Sequence, residues 1–108
     1  MAELGIETRA EDEVTVVALS GEFDLAGVER FEIALGRLES GPGAVLVDLS
    51  GLDFMDSSGL RALVMADQRA KQAGRRLAIV PGPPVVRRVF EITQLDERLD
   101  LVDSAAAL

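Results

Sequence analysis

Residues 44–73 have the sequence AVLVDLSGLDFMDSSGLRALVMADQRAKQA, in which two hydrophobic patterns of different period follow one another. Ala44–Leu49 is a short and almost continuous apolar run, which predicts a buried strand of a parallel sheet. Ser57–Ala73 predicts an amphipathic helix, because its apolar residues recur at helical spacing. Its predicted inward stripe is Leu63, Ala66, Ala70 and Ala73. Ser50–Asp56 is predicted to be the loop between them. A buried strand followed by a helix is a unit from which α/β domains are built.

The chain before residue 44 contributes a predicted hairpin and a first helix. Gly5–Ala10 and Val14–Leu19 are predicted strands on either side of a short polar turn. Ser20–Asp24 is predicted to be a loop, in which the Asp24 carboxylate can accept from the free N–H groups that open the helix. The inward stripe of that helix is Val28, Phe31, Leu35 and Leu38. Ser40–Gly43 is its predicted end.

The chain after residue 73 repeats the strand and helix pattern. Gly74 is a candidate C-cap for the preceding helix, and Arg76–Val80 is a predicted strand. Pro84–Ile92 is a predicted short helix that starts at a proline. The side chains predicted to face inward from it are Val85, Val89 and Ile92. Leu99–Val102 is a predicted last strand and Ser104–Leu108 a helical tail. This alternation predicts a mostly parallel sheet with right-handed crossovers and an antiparallel first strand.

The composition excludes several kinds of functional site. The 108 residues suffice for one domain, so residues 1–108 are predicted to form a single unit. There is no Cys and no His, which excludes disulfides, thiolate or imidazole metal sites and a Cys or His catalytic group. There is no Trp or Tyr to form stacking platforms for single-stranded nucleic acid. We therefore expect no metal, no cofactor and no direct nucleic-acid partner.

The charge is unevenly distributed along the chain. The net charge is −8; residues 1–60 hold 13 acidic and 3 basic side chains, and residues 61–108 hold 6 and 8. Such an acidic protein repels phosphate backbones and anionic membranes. The acidic half indicates either ordinary solvated faces or a docking surface for a basic partner. No apolar run approaches the ~18 residues of a membrane span, and the N-terminus lacks a signal-peptide pattern, so we expect a cytoplasmic location.

The residues that carry chemistry lie at the junction of the predicted central strand and helix. In open α/β sheets this carboxyl end is where sites lie. Ser57 or Ser58 is the expected helix N-cap, and a cap alone would explain both residues. Asp48 lacks the second acid two residues later that an aspartyl phosphotransferase of the haloacid dehalogenase type requires. The chain also lacks the adjacent acids and the late lysine of a phospho-aspartate receiver. It has no Gly-Lys-Ser/Thr ending of a P-loop, so no enzyme is predicted.

Phe54-Met55-Asp56-Ser57-Ser58-Gly59-Leu60 resembles the signature of the anti-sigma factor antagonists of the STAS domain family. Further resemblances follow in the order expected for that family, and they extend from about Gly5 to Asp103. They are Leu19–Asp24, Asp48–Leu52, Pro84–Phe90 and Thr93–Leu95. The resemblance implies a single STAS domain with a core over about residues 5–103. It implies a mixed, mostly parallel sheet of four or five strands, wound with its helices as a β-α superhelix.

The resemblance also implies a regulatory cycle. The unphosphorylated form of such an antagonist binds an anti-sigma factor that is also a serine kinase, and so releases the sigma factor. The kinase then phosphorylates one serine, which ends binding, and a metal-dependent serine phosphatase restores the first form. By position, the phosphorylated residue is Ser57. The partner-binding residues implied or considered with it are Asp24, Met55, Asp56, Ser57, Ser58, Gly59 and Leu60.

Two points remain open in this interpretation. Phe54 is expected in the core, whereas Met55 fits the core and an interface equally well. Gly59 fits either a close approach by a partner's backbone or an ordinary helical position.

The alternative function is that of a STAS domain that is never phosphorylated, as a scaffold in a stress-sensing assembly or an accessory subunit of a lipid-transport ATPase.

Overall fold

The structure, a computed structural model, describes residues 3–38 and 43–108, and it begins with the predicted hairpin. Strands β1 (Gly5–Glu11) and β2 (Val14–Phe23) pair antiparallel, with Glu11 opposite Val14. Asp12 turns the chain at φ 56°, in the left-handed region that aspartate tolerates better than most residues. The antiparallel first strand is therefore confirmed.

The remaining strands are parallel and follow the chain order. Strands β3 (Ala44–Met55) and β4 (Leu77–Val80) complete the order β1-β2-β3-β4, which is the whole sheet among the described residues. β2 pairs parallel with β3, and β3 with β4. Of the predicted last strand Leu99–Val102, only Leu101 forms a bridge, which is parallel to Ile79. The mixed, mostly parallel α/β fold is confirmed.

β2 and β3 extend further than predicted. Ser20–Phe23 and Ser50–Met55 continue as strand, although their Ser, Gly and Asp content predicted loops. The two extensions pair with each other across two register irregularities, and they end with Phe23 opposite Met55. Both of those side chains are buried, together with Leu52. Burial of these three side chains explains why the extensions stay paired beyond the end of β4.

Within the described residues, three α-helices cover one face of the sheet. They are α1 (Leu25–Gly36), α2 (Ser57–Gln72) and α3 (Pro84–Ile92), and single 3-10 turns follow at Leu95–Glu97 and Ala105–Ala107. The predicted end of α1 at Ser40–Gly43 lies, except for Gly43, outside the described residues. α2 ends at Gln72 with Ala73 as its C-cap, so the predicted C-cap Gly74 lies one position further, where it turns the chain at φ 68°. Within residues 3–38 and 43–108, no helix combines the length and the apolar content that a membrane span requires.

α3 presents a different face to the core than predicted. Val86 and Phe90 are fully buried, whereas Val85 and Ile92 are 57% and 70% exposed. Val89 is partly buried against the core. The helix has apolar residues on two faces, and the face with the larger aromatic side chain is the one that packs inward. The prediction for Val85 and Ile92 was therefore wrong.

The main core lies between the helices and the sheet. Phe31 and Leu35 from α1, and Leu63 and Ala66 from α2, are buried there as predicted, while Ala73 is exposed. The opposite face of the sheet carries a second, smaller cluster. It consists of Val16, Leu46 and Ala78, with Val14, Val80, Val102 and Leu108 packed against it. The three helices thus pack on one face of the sheet, and α1 and α2 start directly after the carboxyl ends of β2 and β3.

Candidate functional site

The candidate site is formed where the two long parallel strands end beside each other. Phe23 and Met55 are register partners, and the Asp56 N–H donates to the Phe23 carbonyl at 3.3 Å. Helix α1 begins two residues after Phe23, and α2 begins two residues after Met55. The two helices therefore start side by side, at the edge of the sheet where sites of open α/β domains lie.

An aspartate caps each of these helices. The Asp24 carboxylate accepts from Ala26 N–H at 3.1 Å, as predicted. The Asp56 carboxylate accepts from Ser58 N–H at 2.9 Å and from Gly59 N–H at 3.2 Å. Asp56 has the extended backbone of an N-cap (φ −105°, ψ −172°), and Ser57 is already the first helical residue. The expectation that Ser57 or Ser58 caps α2 was therefore wrong.

The capping role of Asp56 leaves Ser57 available. Ser57 is exposed at the first position of α2, whereas Asp56 and Ser58 are half-buried. A helix N-terminus favours an added anion, because its unpaired N–H groups and the helix dipole are both positive there. Ser57 is thus an exposed serine at a position that accommodates a negative group.

Gly59 lies at the contact between α2 and β2. A Cβ atom on Gly59 would lie 2.6 Å from the Phe23 carbonyl oxygen and 2.9 Å from Phe23 Cγ, and Gly59 is buried. The close backbone approach that requires a glycine here is therefore made within the chain, by β2. Through this contact, Gly59 fixes the start of α2, and with it Ser57, against the end of the sheet.

The other predicted contact residues lie at different depths. Asp24 is half-buried beside α1. Met55 and Leu60 are only 4% and 7% exposed, and both belong to the main core. Their side chains support the site from beneath, and a direct contact between them and a partner stays a prediction. The surface-reaching members of the predicted set are Asp24, Asp56, Ser57 and Ser58.

Two exposed apolar side chains border this site. Phe54 is 44% exposed, so its expected place in the core was wrong: it pairs with Glu22 and points to the opposite side of the strand from the buried Met55. Leu25, the first residue of α1, is 73% exposed. The sequence analysis did not predict that Leu25 is exposed. Its position directly after the Asp24 cap, at the start of α1, could have indicated this.

Comparison with known proteins identifies the family. A family model described as "Mlab, STAS domain" matches residues 6–103. This chain belongs to the STAS domain family. Over 95 residues, the STAS domain is 32% identical to the Anti-sigma-B factor antagonist of Staphylococcus aureus. This match covers 87% of this chain and 88% of that protein.

Two further comparisons agree with this assignment. The STAS domain is 33% identical over 75 residues to Osmosensory protein A of Mycobacterium tuberculosis. That match covers 69% of this chain and 48% of the relative, so the chain spans about half of that protein's length. The crystal structure of an anti-sigma factor antagonist from Mycobacterium paratuberculosis superposes with a TM-score of 0.87 at 27% identity, covering 97% and 90% of the two chains. These similarities confirm the fold implied by the signature.

Proposed function

We propose that this STAS domain is an anti-sigma factor antagonist, whose unphosphorylated form binds an anti-sigma factor and so releases a sigma factor. The observation that carries the proposal is that Ser57 is an exposed residue at the first position of α2, beside the Asp56 cap. Similarity to the Anti-sigma-B factor antagonist of Staphylococcus aureus over 87% of the chain supports the same role. The role is regulatory, it requires no catalytic group in this chain, and the proposed location is the bacterial cytoplasm.

We further propose that Ser57 is the switch. An anti-sigma factor that is also a serine kinase phosphorylates Ser57, and a metal-dependent serine phosphatase removes the phosphate. Phosphorylation adds roughly −1.5 to −2 charges. Because the Asp56 carboxylate already holds the Ser58 and Gly59 N–H groups, Ser57 can be modified without loss of the cap. The phosphate therefore changes the surface that the partner contacts and leaves the fold intact.

Kinase treatment with two matched variants tests this proposal. Wild type, Ser57→Ala and Ser58→Ala are incubated with the purified candidate anti-sigma kinase and ATP, and the products are examined by intact and fragment mass spectrometry. We expect one added phosphate on wild type and on Ser58→Ala, and none on Ser57→Ala. Modification that persists in Ser57→Ala would contradict the choice of Ser57. A wild-type protein that binds its partner but is never modified would favour the non-phosphorylated scaffold or accessory subunit.

A further inference from the structure

Strand β1 is an open edge of the sheet. Within the described residues it pairs only with β2, and most of its seven residues are exposed. The opposite edge is covered, because the Ile79 N–H of β4 donates to the Asp100 carbonyl at 2.8 Å and the Ile79 carbonyl accepts from Val102 N–H at 2.9 Å. An exposed edge strand is a template on which another strand can pair.

The hairpin turn shows which residues of β1 direct their backbone groups outward. Only two residues separate Glu11 from Val14, and the closing pair of such a turn is hydrogen-bonded. Hydrogen-bonded and non-hydrogen-bonded residues alternate along an antiparallel pair. The residues whose N–H and C=O groups point away from β2 are therefore Ile6, Thr8 and Ala10.

The charges on β1 are complementary to those of a second, antiparallel copy of β1 in one register. If Thr8 lies opposite Thr8 of the second copy, all three outward-directed residues are paired, and Glu7 lies opposite Arg9 on both sides of the two-fold axis. A shift of two residues places Glu7 opposite Glu7, or Arg9 opposite Arg9. Opposite charges stabilise such cross-strand pairs and like charges destabilise them. Arg9 bonds Glu11 through Nε at 2.8 Å, and its guanidinium carries further donors for a second carboxylate.

An apolar groove runs along the same edge, between β1 and α1. Its lining residues are Ile6, Thr8, Arg30, Ile33, Ala34 and Arg37. Ile33 is 51% exposed there, and Ile6 packs against the edge of the main core. Because Thr8 lies on the two-fold axis of this register, the grooves of the two copies meet above the strand junction. A second copy would therefore bring the two Ile33 side chains together and remove apolar surface from water.

We propose that this domain forms a symmetric dimer through antiparallel pairing of β1 with β1 of a second copy, with Thr8 opposite Thr8. The four strands of each copy then form one half of a continuous eight-stranded sheet. The carboxyl ends of the two halves point in opposite directions, so both Ser57 sites stay at the surface. The dimer is thus independent of the proposed function of Ser57.

Sedimentation equilibrium of wild type and charge variants tests the pairing. We expect wild type to dimerise reversibly at about 0.1 mM, since the interface is small. Glu7→Arg and Arg9→Glu should each weaken the dimer about 10- to 100-fold, and the double variant should restore it. Glu7→Arg is diagnostic, because it makes the net charge less negative and so reduces general repulsion between copies. Ile33→Gln should also weaken the dimer, and Ile92→Gln, which changes an exposed side chain on α3, should not.

A single introduced cysteine tests the register, because the sequence contains no cysteine. Hydrogen-bonded residues opposite each other have Cα atoms about 5.5 Å apart, within the range that a disulfide spans. Thr8→Cys should therefore form a disulfide-linked dimer under mild oxidation. Ala10→Cys is the matched control on the same strand, since its two copies would lie about 14 Å apart. Melting curves of the reduced variants show that each domain is folded.

Three results would overturn the inference. A wild-type protein that remains monomeric up to about 1 mM would exclude the dimer. A dimer whose affinity is unchanged in both single charge variants would show that the copies meet elsewhere. Equal crosslinking of Ala10→Cys and Thr8→Cys would contradict the proposed register.

Discussion

Gly59→Ala tests how the start of α2 is held against the sheet. The new Cβ atom would meet Phe23 Cγ at 2.9 Å, whereas carbon atoms pack best at about 3.5–4.0 Å. It would also lie 2.6 Å from the Phe23 carbonyl oxygen, which is backbone and cannot rotate away. The helix start must therefore move by roughly 0.5–1 Å. That movement would break the hydrogen bond from Asp56 N–H to the Phe23 carbonyl, which is already 3.3 Å long.

The expected loss of stability follows from two opposing effects. Overpacking in a close contact lowers the free energy of unfolding by about 1–3 kcal/mol. Replacing Gly by Ala within a helix raises it by up to about 1 kcal/mol. We expect a net loss of about 1–2 kcal/mol in the free energy of unfolding, which lowers Tm by roughly 5–15 °C in a domain near this size.

Thermal and denaturant unfolding of Gly59→Ala, with Gly36→Ala as the control, measures this loss. Gly36 is also a helical glycine, but a Cβ atom there would meet nothing within 4 Å. The control variant should therefore be as stable as wild type or more stable by up to about 1 kcal/mol. If Gly59→Ala is as stable as Gly36→Ala, the contact with Phe23 is not rigid and the reasoning about this glycine is wrong.

Three further predictions concern the site and its support. Asp56→Ala should lower the unfolding free energy by about 0.5–2 kcal/mol, because Asp56 caps α2, and Asp56→Asn should restore most of it in the same denaturation assay. Phe90→Ala should lower the free energy of unfolding in urea by about 3–5 kcal/mol, and Ile92→Ala by no more than about 0.5 kcal/mol, because only Phe90 is buried. Equal losses for the two variants would contradict the inward face assigned to α3. Arg61 is exposed on α2, four residues after Ser57, so it can form an i,i+4 ion pair with a phosphate on Ser57. Arg61→Gln should therefore destabilise the phosphorylated protein by about 0.3–0.5 kcal/mol and leave the unphosphorylated protein unchanged, as measured by melting both forms.

The sequence predicted the alternation of strands and helices because each element has a strong period, but it did not predict where β2 and β3 end. Ser20–Phe23 and Ser50–Met55 have the composition of loops, and only their pairing with each other makes them strands. That pairing joins residues about thirty positions apart, so it leaves no local signal. The paired extensions of β2 and β3, which place the starts of α1 and α2 beside each other, therefore depend on tertiary structure.

The sequence predicted where the site lies, but not which residue caps α2 or which of Phe54 and Met55 is buried. Asp56, Ser57 and Ser58 are three consecutive residues of capping type, so composition could not show which of them caps the helix. Phe54 and Met55 are adjacent apolar residues in a strand, and strand alternation allows only one of them to face the core. Burial of Met55, rather than Phe54, is decided by the register with Phe23 and by the glycine contact beneath α2.

The central claim is that phosphate on Ser57 controls partner binding, and a paired affinity measurement tests it most directly. The unphosphorylated protein and the homogeneous phospho-Ser57 form are titrated against the same purified anti-sigma factor, with melting curves to show that both are folded. An unpaired charge buried in an interface costs roughly 2–5 kcal/mol, so we expect the phosphorylated form to bind about 30- to 4000-fold more weakly. Ser57→Ala should bind as the unphosphorylated wild type does. Equal affinities of the two folded forms would contradict the account.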